Sequence, residues 1–323
     1  MSDALAPASR IYVAGHSGLA GSALVRRLEG AGYRNLILRR HAELELTDPA
    51  AVRGFFARER PEYVFLAAAK VGGILANDTH PGDFLRENLL IQTNVIEEAR
   101  ASGVKRLLFL GSSCIYPREA RQPISESELL AGPLEPTNRA YAVAKIAGIE
   151  MCWSYNRQHG TRFLAGMPSN LYGPGDNYDL QSSHVLAALL RKMHEAKSRG
   201  DPQVTIWGTG APRREFLHSD DMADACVHLM SLPAARFDEL AAAAHAPLVN
   251  VGTGVDYTIA ELAARIAKVV GYSGKFAFDR SKPDGTPRKL LDVSRLGSMG
   301  WRARIGLDEG LTRSYQEYRH TLT

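Results

Sequence analysis

Tyr141 and Lys145 stand four residues apart, a spacing that puts both on one face of a helix. A phenol has a pKa of ~10, so it exchanges protons near neutrality only when a neighbouring ammonium favours its anion. Lys145 supplies that charge. Ser112 follows the apolar run Leu107–Leu110 and adds a hydroxyl at the carboxyl edge of the strand expected there. These three groups can hold a carbonyl oxygen through Ser112 while Tyr141 protonates it and a nicotinamide delivers hydride. A Tyr-x-x-x-Lys pair alone mostly marks an ordinary helix face, so its meaning depends on what lies upstream.

Upstream, the run Ile11–Val13 leads directly into Gly15, Gly18 and Gly21, which open the amphipathic stretch Ser22–Gly30. Glycines permit a tight turn and close backbone approach. The free N–H groups and positive dipole end of the following helix then accept a pyrophosphate. The same turn holds Ser17 and Leu19. After the second run, Leu36–Leu38, come Arg39, Arg40 and His41, where an NAD enzyme would carry an acid for the ribose. Cations there suit a 2′-phosphate, so the expected cofactor is NADP(H). The plainer alternative is that Arg39 and Arg40 face solvent.

The elements that must position these groups alternate from the start. Ile11–Val13 is followed by Ser22–Gly30, Leu36–Leu38 by Pro49–Arg58, Tyr63–Ala68 by Asp83–Ala101, and Leu107–Leu110 by Asn138–His159. Strands separated by helices of this length lie parallel through right-handed crossovers, which predicts an α/β fold with a doubly wound, Rossmann-like parallel sheet. Its ligand crevice lies at the carboxyl ends of the strands. Beyond Phe163 the rhythm loosens into Pro- and Gly-rich loops, with helices expected at Ser183–Lys197, Leu217–Ser231, Ile259–Val270 and Leu307–Arg319. Residues 1–167 thus read as a dinucleotide-binding domain, rejoined by about 216–250, and 168–323 as mainly a smaller substrate-binding lobe.

The 323 residues suffice for about two domains with a buried core. With 45% hydrophobic and 23% charged residues, the chain is neither disordered nor low-complexity. A net charge of +4 without a long basic tract gives no nucleic-acid footprint. No run nears the ~20 apolar residues of a membrane span. Cys114, Cys152 and Cys226 form neither a Cys-x-x-Cys pair nor an even set, so no metal site and no disulfide framework are expected. A reducing, cytoplasmic setting is expected from this and from the lack of a leader-like apolar stretch in MSDALAPASR.

Several runs are more particular: LAAAKVGGILAN (66–77), LLFLGSSCIYP (107–117), LEPTNRAYAVAKIAGIEMC (134–152), PSNLYGPGDNYD (168–179), WGTGAPRREFLHSDDMADA (207–225) and KPDGTPRKLLDVSRL (282–296). With the glycine turn they span nearly the whole chain, which resembles the GDP-L-fucose synthase family of the extended short-chain dehydrogenase/reductase superfamily. The resemblance implies an NADP-dependent enzyme that epimerises two carbons flanking a ketone in a GDP-sugar and then reduces the ketone. It implies Cys114 as the base that removes a proton beside the C4 carbonyl and His184 as the acid on the opposite face. A thiol and an imidazole are among the few side chains able to exchange protons near pH 7, although buried cysteine is also ordinary packing.

The resemblance further implies that Ala69, Leu110, Lys145, Pro168, Asn170 and His184 contact the cofactor, and that Asp48 accepts from the adenine amino group. For the substrate it implies Asn170, Lys192, Trp207, Arg214, Asp284 and Lys289. Three of these are cations suited to a diphosphate, Trp207 offers an aromatic surface, and Asp284 accepts from hydroxyls. Some relatives carry arginine where Ser17 and His41 stand, leaving Arg39, Arg40 or a protonated His41 to meet the 2′-phosphate. A homodimer through the helices at Asp83–Ala101 and Asn138–His159 is expected. Two alternatives stay open: a nucleotide-sugar 4-epimerase or 4,6-dehydratase, which needs no Cys114, and a non-catalytic NADP-binding regulator.

Overall fold

Strands with no polar alternation need cover on both faces, and the computed structural model, which describes residues 5–180, 182–244, 246–282 and 284–322, gives it to them. The first half runs β1 (Ile11–Ala14), α1 (Leu19–Gly30), β2 (Leu36–Ile37), α2 (Pro49–Glu59), β3 (Tyr63–Leu66), α3 (Ile74–Thr79), α4 (Pro81–Ala101), β4 (Arg106–Leu110), α5 (Arg139–His159) and β5 (Phe163–Pro168). The second half runs β6 (Asn170–Tyr172), α6 (Val185–Arg199), β7 (Gln203–Trp207), β8 (Arg213–His218), α7 (Ser219–Met230), α8 (Ala234–Ala241), β9 (Leu248–Val251), β10 (Asp256–Thr258), α9 (Ile259–Val270), β11 (Lys275–Asp279), β12 (Arg288–Lys289), α10 (Ser294–Ser298) and α11 (Leu307–Thr321).

Six strands form an all-parallel sheet in the order β2-β1-β3-β4-β5-β9. Every residue of β1, β3, β4, β5 and β9 is buried. One face packs on α2, α4 and α5 through Phe55, Phe56, Ile96 and Ile149. The other face meets α1 and α7 through Leu24, Leu28, Met222 and Cys226. The doubly wound parallel sheet expected from the alternating runs is therefore present. Local signals set the helix ends: Asp48 caps α2 ahead of Pro49, and Gly160, in the left-handed region, closes α5.

A second apolar cluster joins Tyr172 to α6, α9 and α11 through Leu190, Met193, Leu262, Ile266 and Leu311. Around it lie a sheet of β10-β8-β12 with β6 beside β8, and the parallel pair β7 and β11. The helix expected from Leu217 starts only at Ser219, because Leu217 and His218 still belong to β8 and pair with β6. The first core extends beyond residue 250, since Leu296 and Trp301 pack with α7 and β9.

Glu215 ties the small sheet together. Its fully buried carboxylate accepts from the backbone N–H of Thr253, of Gly254 at 2.8 Å and of Leu291 at 2.8 Å. Glu215→Ala would leave three backbone N–H groups without this acceptor, and only the one on Leu291 is in a fully buried bond, where an unmet donor costs about 1–3 kcal/mol. The expected result is a loss of about 2–3 kcal/mol in urea-unfolding stability.

Candidate active site

The chain leaves β1 in one direction to β2 and returns on the other side to β3, which creates the topological switch point where such sheets bind ligands. A cleft of about 890 Å³ opens there. Gly15 turns the chain with φ +81°, and a Cβ on it would lie 2.7 Å from the Ala68 backbone at the end of β3. A Cβ on Gly21 would collide with the Gly15 carbonyl oxygen, so only glycine lets α1 sit this close to β1. No side chain caps α1, and its first turn, from Gly18 to Gly21, lines the cleft. An uncapped helix end of this kind fits a pyrophosphate.

Ser17, Arg39 and His41 line the same cleft. The Arg39 guanidinium donates to Glu59 at 2.7 Å and to the Leu38 carbonyl at 2.8 Å. His41 lies 2.7 Å from Glu45, a carboxylate that also accepts from Thr47. Arg40 and Asp48 do not line the cleft. Arg40 is exposed, and the Asp48 carboxylate accepts from the N–H groups of Ala50 and Ala51 at 2.8 and 3.2 Å as the cap of α2. Leu19, Ala69, Leu110, Lys145, Pro168, Asn170 and His184 do line it. So do three residues that the sequence reading did not single out, Arg86 and the ion pair Lys70–Glu87 at 2.7 Å.

A second pocket of about 280 Å³ adjoins the first, and Ser112, Tyr141, Asn170 and His184 line both. Cys114 lines the smaller one only, together with Lys192, Trp207, Arg214, Asp284 and Lys289. Burial lowers the pKa of Lys192 and Lys289 and brings that of Arg214 down to about 10. Among the described residues none of these three cations joins an ion pair. Three such cations around one pocket suit an anionic ligand. Trp207 is 47% exposed, with Lys192 and Lys282 at 5.2 and 5.3 Å from its ring centre. The Asp284 carboxylate is already engaged by Thr209, accepting from its N–H at 2.7 Å and its hydroxyl at 2.8 Å.

At the junction the Ser112 hydroxyl accepts from the Cys114 backbone N–H at 3.5 Å, and its nearness favours the ionised forms of the Tyr141 phenol and the Cys114 thiol. Lys145 donates to the Leu110 carbonyl at 2.8 Å and lies 5.8 Å from the centre of the Tyr141 ring. Burial lowers the Lys145 pKa to about 8. The Tyr141 phenol is pushed well up, by burial first and the neighbouring Cys114 second. The lysine is thus spent on a carbonyl in this geometry, and the phenol keeps its proton, the form that can donate one. Burial raises the Cys114 thiol against the opposing charges of Lys289 and Lys145.

His184 stands at the N-cap of α6, open to the clefts but crowded by protein, and this desolvation lowers its pKa. The Gly73 N–H donates to the Ser182 carbonyl at 2.9 Å, and a Cβ on Gly73 would lie 2.8 Å from the Ser183 oxygen. These two backbones, packed together, hold His184 at the junction. Among the described residues no group of three or more His, Cys, Asp or Glu could hold a metal ion, and no helix is long and apolar enough to cross a membrane.

Comparison with known proteins agrees with this geometry. Residues 11–240 match the NAD dependent epimerase/dehydratase family. The chain is 56% identical over 314 residues to putative GDP-L-fucose synthase 2 of Arabidopsis thaliana, covering 97% of this chain and 93% of the relative. It is 56% identical over 310 residues to GDP-L-fucose synthase of Escherichia coli K12, covering 95% of each. Among solved structures, a GDP-mannoheptose C4 reductase from Campylobacter jejuni with NADP bound is 40% identical, with a TM-score of 0.87 over 98% of this chain and 99% of that one. The chain belongs to the NAD dependent epimerase/dehydratase family.

Proposed function

We propose that this chain is a GDP-L-fucose synthase, which epimerises GDP-4-keto-6-deoxy-D-mannose at C3 and C5 and reduces it at C4 with NADPH. The observation that carries this reading is the shared wall. Ser112, Tyr141 and His184 face both a dinucleotide-sized cleft and a smaller pocket rich in cations, and Cys114 faces the smaller pocket alone. The curated relatives with this name, at 56% identity, support the substrate.

Bound NADPH supplies the hydride. Ser112 and Tyr141 grip the C4 oxygen throughout, first stabilising enolate charge and then the charge that develops on reduction, when Tyr141 gives up its proton. Cys114 removes the ring hydrogens beside the ketone, and His184 returns protons from the opposite face. Epimerisation comes first, because those hydrogens are acidic only while C4 is a carbonyl. Lys192, Arg214 and Lys289 neutralise the diphosphate region, with Asn170, Trp207 and Asp284 as further substrate contacts.

Arg39, with Ser17 and His41, favours NADP(H) over NAD, a preference supported by the NADP-bound C. jejuni relative. A homodimer through α4 and α5, which lie side by side in the protomer, is part of this reading. Three free, buried cysteines support a cytoplasmic setting. Anaerobic mixing of the protein with NADPH and GDP-4-keto-6-deoxymannose tests the reading. Loss of nicotinamide absorbance with GDP-L-fucose as product is expected. Reduction without epimerisation would favour a plain C4 reductase, and an unchanged cofactor would overturn the reading.

A further inference from the structure

β12 is the edge strand of the small sheet and only two residues long, yet one of the two is Lys289, a cation of the smaller pocket. Its inner edge pairs with β8, where Lys289 stands in register with Arg214. Strand neighbours in register turn their side chains to one face of a sheet, and both of these line the pocket beside Cys114. Pairing along one edge of so short a strand is a weak constraint. Something else must hold Lys289 in place.

The outer edge meets the chain that follows Ser112 and Cys114. In a parallel ladder the N–H and C=O of one residue bond to the two residues on either side of its partner. Ile124 does this around Leu291, donating to the Leu290 carbonyl at 2.7 Å and accepting from the Asp292 N–H at 2.8 Å. The preceding step of such a ladder joins residue 122 to Arg288 and Leu290, around Lys289. Here the side-chain amide of Gln122 makes both bonds. Its Nε2 donates to the Arg288 carbonyl at 3.1 Å, and its Oε1 accepts from the Leu290 N–H at 2.9 Å. Nε2 also donates to the Ala120 carbonyl at 3.3 Å, so three partners fix the direction of the amide. The same segment is tied at two further points, where Thr286 donates to the buried Glu135 carboxylate at 3.4 Å and the Leu291 N–H reaches Glu215. Only the Gln122 bonds flank Lys289 itself on this edge.

We propose that Gln122 is a positioning residue for the substrate pocket, its side-chain amide standing in for one step of strand pairing and so holding Lys289 in place for the diphosphate of a nucleotide sugar. This deepens the proposed function and rests on Lys289 being one of its diphosphate contacts. Gln122 touches neither the cofactor cleft nor the reacting groups. Its effect therefore falls on nucleotide-sugar affinity and leaves cofactor affinity alone.

Titrating the full-length protein with GDP by calorimetry and with NADPH by fluorescence separates the two sites. Gln122→Met keeps the reach of the side chain and removes its bonds. It is expected to weaken GDP binding about tenfold, the net worth of about one to two hydrogen bonds, and to leave NADPH binding within a factor of about two. Lys289→Met is expected to weaken GDP binding at least as much, and the double variant no further, because one residue acts through the other. Wild-type GDP affinity in Gln122→Met would overturn the proposal. Equal losses for GDP and NADPH would also overturn it, since they mark a merely structural role, as would losses that add in the double variant. Should Gln122→Met fold poorly, Gln122→Asn carries the same test, because it keeps the amide but withdraws it by one methylene. It should lose GDP affinity as well, and wild-type binding by it overturns the proposal. GDP binding needs no turnover. A wild-type protein that binds GDP but leaves NADPH unconsumed would refute the proposed reaction alone, whereas wild-type GDP affinity in Lys289→Met would refute the diphosphate contact and the role of Gln122 with it.

Discussion

Tyr141→Phe is expected to slow NADPH oxidation by the GDP-keto sugar by about 10²–10⁴-fold, the usual worth of a positioned proton donor. The substitution removes one hydroxyl and little else. Phenylalanine keeps the ring edge-to-face with Phe84, at 6.3 Å and 87°, and leaves the Lys145 bond to the Leu110 carbonyl in place. Ser112 still holds the ketone oxygen, so the loss should fall on kcat, with KM nearly constant. NADPH affinity, read by fluorescence titration, should stay within a factor of about two to three, because the phenol faces the reacting end of the cleft. A variant reducing the ketone at near wild-type rate would remove Tyr141 from the chemistry.

Gly21→Ala is expected to weaken NADPH binding about 100-fold or more, equivalent to about 2.7 kcal/mol. A methyl group there strikes the Gly15 carbonyl, which is backbone and cannot swing aside. The helix must back away from β1, carrying with it the N–H groups that face the cleft. Gly30→Ala in the same helix is the control, because a Cβ there meets nothing within 4 Å. Binding by that variant should match wild type, and its stability should be equal or slightly higher. Equal binding by both variants would mean that the turn does not seat the pyrophosphate.

The first lobe was largely legible because its signals are local. An apolar run, a glycine turn and an amphipathic stretch follow one another within twenty residues in β1–α1, and the helix expected at Asn138–His159 differs from α5 by one residue. The small strands were not legible. β12 is two residues long, and its neighbourhood is held by bonds between distant positions, such as Leu290 N–H to Gln122, 168 residues apart. Periodicity cannot show such pairing. The same reason hid Glu215 and Glu135, single acids whose partners lie on other segments. Asp48 carries two signals at once. Its place before Pro49 is a strong helix-start signal, and its Oδ1 caps α2 by accepting from Ala50 and Ala51, while the family resemblance assigns the same carboxylate to adenine.

The central claim is that one gripped ketone oxygen serves both exchange at its neighbouring carbons and reduction. The most direct measurement is to run the full reaction in deuterated water with unlabelled NADPH and map the isotope in the product by NMR. The account predicts deuterium at C3 and C5 of GDP-L-fucose and protium, delivered by the cofactor, at C4. A product with protium retained at C3 and C5, or with deuterium at C4, would contradict it.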